Sequence, residues 1–372
     1  MDSALQSSGF RRLSPAAARG VLIVALLATL LFVGIAVSPL ATGFADKPLR
    51  RPGDIALYQA IVGRIHAGEN YYDAAAAELP SRGYPTRSVF NWRTPLPLWL
   101  LGVLPTPMIG RVLLALMAIW MMFGFWHLLI RDGQFGRGVF CGLLMIGAVL
   151  PCVLDQLYVM HELWAGVLIA LSMLAYGMRR SGWGVGLGFA ALVVRELAAA
   201  YCVVCCLMAI SERRWREVSA WGGAAFLYGL WYAAHAMQVL PRIGPHALAH
   251  SDGWIRFGGA AFVISVAQVN AYLLQLPQWI TAIYLSLALL GFAGWTAPWG
   301  RRAGLTAAVY LGGFAIVGNP FNQYWGALIA PLLCLGVAQA PQALGDLWQR
   351  ACERSSAMPT LQALQASARS SG

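Results

Sequence analysis

Charge is what this sequence has least of. Only 11% of its 372 residues are Asp, Glu, Lys or Arg, where a soluble domain carries roughly 25%. Together with 59% hydrophobic residues and a mean hydropathy of +0.63, that excludes a globular enzyme with a simple anchor. The chain reads as a polytopic membrane protein. Other absences narrow the chemistry. No P-loop, no Gly-x-Gly-x-x-Gly after a strand and no DxD-like acidic pair occur, which argues against a nucleotide-bound donor handled in the cytoplasm. No His-Glu-x-x-His occurs either, and His246 and His250, four apart, have no third ligand, so no metal is expected. Of the seven cysteines, Cys141, Cys152, Cys202, Cys205, Cys206 and Cys334 lie in apolar runs and Cys352 does not. Buried Cys behaves as a small hydrophobe, so the spacing Cys202-Val-Val-Cys205-Cys206 reads as packing. No cofactor is expected.

What is present is a series of apolar runs. Ten segments, 21–40, 109–130, 138–153, 158–176, 183–194, 197–210, 218–238, 278–297, 303–318 and 324–340, read as helical spans of an all-α protein. The first follows Arg11, Arg12 and Arg19 but is too long for the apolar region of a signal peptide, so it reads as a retained span. The runs 183–194 and 197–210 are short, as if one unit were broken at Arg195-Glu196. Residues 1–340 then form a single membrane-embedded domain, and 341–372, rich in Ala, Ser and Gln, a cytoplasmic and partly disordered tail.

The net charge of +11 comes from small basic groups between spans, as membrane topology requires, and not from a nucleic-acid-binding face. With a cytoplasmic N-terminus, the groups Arg131/Arg137, Arg179/Arg180, Arg213/Arg214/Arg216, Arg301/Arg302 and Arg350/Arg354 all fall inside. The loop 41–108 is long and of mixed charge, with Asp46, Lys47, Arg50, Arg51, Asp54, Glu69, Asp73 and Glu78 among its residues, and is expected to fold outside. In it, Ile55, Tyr58, Ile61, Val62 and Ile65 recur at helical spacing, the pattern of a helix lying in the membrane interface. A second outer loop, 239–275, carries Arg242, His246, His250, Asp252 and Arg256 before an interrupted apolar piece that suits a re-entrant or interfacial segment.

Because only fifteen residues are acidic, their positions are informative. Asp54, in Pro52-Gly53-Asp54, reads either as a helix N-cap or as a general base for an acceptor hydroxyl. Arg195 and Glu196 interrupt an apolar run, and charge at membrane depth costs several kcal/mol. They read as an internal ion pair, alone or with His161-Glu162, or as a phosphate-holding guanidinium fork. His161 and Glu162, with Asp155-Gln156 one to two turns earlier, suit a polar outer cavity. Gly318-Asn319-Pro320-Phe321-Asn322-Gln323-Tyr324-Trp325 reads as an outer turn with an aromatic belt, or as a lid whose Asn319, Asn322 and Gln323 meet sugar hydroxyls.

Gly53-Asp54 with Tyr58, the stretch Arg93-Thr94-Pro95-Leu96 and the Arg195-Glu196 break together resemble the GT-C class of integral-membrane glycosyltransferases. The branch most similar is the polyprenyl-phosphate-sugar-dependent one that includes glycosyltransferase family 87. The resemblance implies an inverting, metal-independent transfer on the outer face, and the Ala- and Trp-rich composition suggests that the membrane is a bacterial inner membrane. The donor would be a sugar on a polyprenyl phosphate drawn from the surrounding lipid, the acceptor a lipid or glycan. It implies Asp54 as base, Arg195, Arg256 and Arg93 against the leaving phosphate, and His161, Glu162, Glu196, Tyr58, Asn319, Asn322 and Gln323 around the substrate. The alternative is a transporter or flippase of a lipid-linked or polar solute, which could also use an intramembrane Arg–Glu pair. No internal repeat of the transporter kind is visible.

Overall fold

The computed structural model describes residues 7–38, 53–131, 133, 135–154, 156–249 and 256–353. Asp46, Lys47, Arg50, Arg51, Pro52, Asp155, His250, Asp252, Arg354 and the rest of the tail lie outside them. Among the described residues there is no strand. The described residues form fourteen α-helices, in order: α1 Pro15–Ala36, α2 Asp54–His66, α3 Tyr71–Ser81, α4 Leu96–Val103, α5 Pro107–Arg131, α6 Phe135–Val149 and α7 His161–Gly177, then α8 Ser181–Val194, α9 Ala199–Ser211, α10 Trp215–Val239, α11 Gly259–Ala267, α12 Gln278–Gly294, α13 Pro298–Ile316 and α14 Ala330–Cys352.

Among the described residues three helical stretches are long and apolar enough to cross a membrane: Pro15–Ala36, Pro107–Arg131 and Phe135–Cys152. A fourth candidate is the 3₁₀ segment Pro320–Leu328 with α14, bent by 68° at their junction. The helices α7, α8 and α12 and the stretch Glu196–Ser211 are apolar but shorter. Lipid-compatible side chains point outward, including Leu26, Leu30, Leu116, Trp120, Phe226 and Met237.

Each of the ten expected segments meets a helix, with shifted boundaries. The first helix starts at Pro15, because the Ser14 hydroxyl accepts from the Ala17 amide and proline fits the first helical position. The last helix runs through Pro341 to Cys352, so residues 341–352 of the expected tail are helical. They are held there by the N-terminus: Arg11 pairs with Asp346 at 3.2 Å, Arg19 donates to the Ala351 carbonyl at 2.8 Å, and Arg350 donates to the Leu13 carbonyl. Phe10, Ala18, Leu290, Ala343, Leu347 and Ala351 form a small apolar cluster beneath these contacts.

The same end of the molecule gathers the basic groups. Arg137 donates to Gln339 of α14 at 2.6 Å. Buried Glu217 of α10 accepts from Tyr176 of α7 at 2.9 Å and pairs with Arg214 at 2.7 Å and with Arg302 of α13 at 3.4 Å. At the other end lie α2 to α4, the start of α7, the tip between α8 and α9, and the turn before α14.

The stripe on α2 has a different partner from the one its pattern suggested. Leu57, Tyr58, Ile61, Val62 and Ile65 are buried inside the protein, and Ile65 lies against Gly102 of α4, where any Cβ would meet its side chain. The apolar face therefore packs on protein, not on the membrane interface. Only Ile55 of the five expected positions is left half-buried.

Candidate functional site

Gly53 is the N-cap of α2, and Asp54 is its first helical residue, with no side-chain capping bond at this terminus. This overturns the reading of Asp54 as the cap. Its carboxylate still faces the positive end of the helix dipole, but its Oδ1 accepts a hydrogen bond from the Tyr84 hydroxyl at 2.9 Å. One turn along α2, on the same face, Tyr58 is buried. Its hydroxyl accepts from Arg93 Nε at 3.1 Å, and its ring meets that of His161 edge-on at 5.0 Å between centroids.

Arg93 continues the chain of contacts. Its Nη1 lies 3.5 Å from Glu196 Oε1, and its carbonyl accepts from the Tyr71 hydroxyl. Glu196 also pairs with Arg195, whose Nε lies 2.7 Å from Glu162 Oε1. Arg195 and Glu162 are each about 1% exposed. Their contact is an ion pair without hydrogen-bond alignment, since Arg195 Nε and both Glu162 oxygens have no hydrogen-bond partner. Two guanidinium groups thus face two carboxylates, so this part of the site is formally neutral, and Asp54 adds one negative charge beside it.

The local fold explains why these charges meet. Arg195 is extended (φ −150°, ψ 118°), which ends α8 and leaves its last carbonyls without helical partners. The Thr94 hydroxyl takes up two of them, donating to Val193 O at 3.0 Å and Val194 O at 3.3 Å, and Tyr310 donates to the Leu197 carbonyl at 2.9 Å. The stretch that carries Arg93 is therefore pinned to the break that carries Arg195. At roughly 1.5 Å per residue, α8 and α9 are too short to cross a ~30 Å core, and their shared tip holds the charged pair.

Burial and charge act together on the groups around α2. Burial, then the Asp54 charge and its hydrogen bond, pushes the Tyr84 phenol above the ordinary tyrosine range. Burial likewise raises Tyr58 against the opposing effect of Arg93. Burial works against the Arg93 charge, but Tyr58 and Glu196 outweigh it and hold Arg93 firmly protonated. Asp54, Tyr58, Tyr71, Tyr84, Asn91 and Arg93 line a cleft of about 40 Å³, room for a few water molecules.

The remaining expected residues divide. Asn319 is buried with an unpartnered Oδ1, and Asn322, also buried, accepts from Tyr324 at 3.4 Å. Tyr324 itself lies within electrostatic reach of Asp54, Glu162, Arg93 and Tyr58, which puts this turn near the cluster. Gln323, by contrast, is exposed. Arg256 is exposed as well, its carbonyl accepts from the Gly318 amide at 2.7 Å, and among the described residues no contact joins its side chain to Arg195 or Asp54. His246 is exposed. Among the described residues no group of three or more His, Cys, Asp or Glu is placed to hold a metal ion.

Tyr84, Tyr71 and Tyr324 were not singled out from the sequence. A tyrosine in a loop carries no signal until a partner is known. The one cue for Tyr84 is Gly83, with φ +71°, which closes α3 in a Schellman motif: Tyr84 N donates to Leu79 O and Gly83 N to Pro80 O, both at 2.9 Å. The motif fixes the backbone of Tyr84 next to α2.

Comparison of the chain with protein-family models, with curated proteins and with solved structures finds no match.

Proposed function

We propose that the chain is a membrane-embedded glycosyltransferase of GT-C type, with about ten spans and its active site at the end opposite the basic loops. The observation that carries this reading is two sets of contacts meeting at one cleft: Tyr84 on Asp54, and Tyr58 through Arg93 and Glu196 to Arg195 and Glu162, with Asp54 and Tyr58 one turn apart on α2 and both lining that cleft. A carboxylate able to act as base and two guanidinium groups able to hold a phosphate lie at one outer site. The donor would be a polyprenyl-phosphate sugar and the acceptor a lipid or glycan hydroxyl.

In the reaction, Asp54 takes the proton of the acceptor hydroxyl. The acceptor oxygen forms a bond to the anomeric carbon from the face opposite the leaving group, and the bond from that carbon to the phosphate oxygen breaks. Polyprenyl phosphate leaves with the electron pair. Arg93, the more exposed of the two arginines at 17%, meets the phosphate first, and Arg195 supports it once Glu196 yields one of its two partners. Charge developing on the leaving phosphate is then met by donors already in place.

The transporter reading is weaker. It needs a path to the basic end, where Glu217, Tyr176, Arg214 and Arg302 tie α7, α10 and α13 together.

The test is transfer of radiolabelled sugar from polyprenyl-phosphate donors to native membrane acceptors by wild type and Asp54→Asn. The asparagine keeps the shape and removes the base, so transfer should fall at least a hundredfold, the size of a general-base contribution of roughly 10²–10⁴. Equal transfer by a well-inserted Asp54→Asn protein would sink the reading.

A further inference from the structure

The contact between Tyr84 and Asp54 has the chemistry of the proposed acceptor complex. A neutral hydroxyl donates to a carboxylate oxygen at 2.9 Å, which is what an acceptor hydroxyl must do before it is deprotonated. The phenol and an acceptor cannot both donate to Asp54 Oδ1 from the same side. The cleft around them holds about 40 Å³, too little for a sugar ring, and Tyr84 is one of its walls. Its backbone is held by the Schellman motif at the end of α3, and the following residues are tied to the second outer loop, where Thr86 N and Arg87 N both donate to Leu248 O at 3.0 and 3.1 Å. With the backbone held on both sides, the phenol can leave Asp54 by rotating its side chain.

We propose that the Tyr84 hydroxyl is a built-in stand-in for the acceptor hydroxyl, holding the donor position on Asp54 that an incoming acceptor must take over by turning the phenol aside. This rests on Asp54 being the base of the proposed transferase. Tyr84 is then a gating residue. It keeps water from donating at the same place and sets a threshold that an acceptor hydroxyl has to exceed.

The experiment compares wild type with Tyr84→Phe, which keeps the ring and removes the hydroxyl. The first readout needs no sugar: carbodiimide-driven coupling of glycine ethyl ester to Asp54 in the purified, membrane-reconstituted protein, followed by mass spectrometry, with exposed Glu69 as the internal control. Removing a hydrogen bond to a carboxylate should speed coupling at Asp54 about tenfold and leave Glu69 unchanged. The second readout is sugar transfer from polyprenyl-phosphate donors against increasing amounts of native membrane acceptor. The half-saturating amount of acceptor should fall in Tyr84→Phe. Unchanged coupling at Asp54 overturns the stand-in, and so does a loss of maximal rate at every acceptor level, which is what a purely structural or proton-handling tyrosine would give. Failure of the base assignment is separate, because it is read from Asp54→Asn.

Discussion

Arg195 of the helix break and Glu162 of α7 lie 2.7 Å apart, each about 1% exposed. A buried pair of this kind adds little net stability compared with apolar residues of the same shape, but removing one partner strands the other charge. Glu162→Ala should therefore destabilise the protein by about 3–5 kcal/mol, seen as a lowered midpoint in thermal unfolding of the reconstituted protein. The double variant Glu162→Ala/Arg195→Met should recover part of that loss. A single variant as stable as wild type would mean that Arg195 keeps its charge compensated by Glu196 alone.

Gly166 of α7 lets the 3₁₀ segment Pro320–Leu328 lie directly on the helix, since a Cβ there would run into the Ala327 carbonyl oxygen. That neighbour is backbone and cannot turn away. Gly166→Ala should push the segment off α7, costing about 1–3 kcal/mol as overpacking does. Asn322 and Tyr324 would move away from the charged cluster with it. Hydrogen exchange of residues 320–328 should quicken in the variant, and an unchanged exchange pattern would refute the close fit.

The segment from α2 to α3 should make the protein sensitive to alkali. Burial raises the phenols of Tyr58, Tyr71 and Tyr84 above their ordinary value near 10. A group whose pKa is raised by folding contributes stability that is fully present below its unfolded pKa and is lost as pH rises beyond it. Stability should thus be flat below pH ~10 and fall above it, with these three phenols silent in an absorbance titration until the protein unfolds. Replacing all three with Phe should flatten the alkaline limb. If they ionise near pH 10 in the folded protein, the segment is not packed as described.

Much of the architecture was legible in the residues. Apolar run lengths gave the helices, and the basic groups fell between them, where Arg214 and Arg302 share Glu217, Arg137 reaches Gln339 and Arg350 reaches Leu13. The break at Arg195-Glu196 was legible too, because two adjacent charges cannot continue an apolar helix without partners. The boundaries were not. The start at Pro15 depends on the Ser14 cap, and the extension of α14 past Pro341 depends on Arg11 and Arg19 reaching it from over three hundred residues away, and on its own Arg350 reaching back to the Leu13 carbonyl.

The site divides along the same line. Local composition was enough to mark Asp54, Arg93, Glu162 and Arg195, since each is a scarce charge in or beside an apolar stretch whose burial needs compensation. Which charges meet depends on packing between distant segments. Thr94 binds the carbonyls freed at Val193 and Val194, and so carries Arg93 to Glu196. The close of α3 at Gly83 turns Tyr84 onto Asp54, while Arg256, of the same residue type as Arg93, is left exposed. Residue chemistry and period are properties of short stretches and can be read along the chain. Pairing across a hundred residues is set by how the helices pack, and it appears only once they are placed against one another.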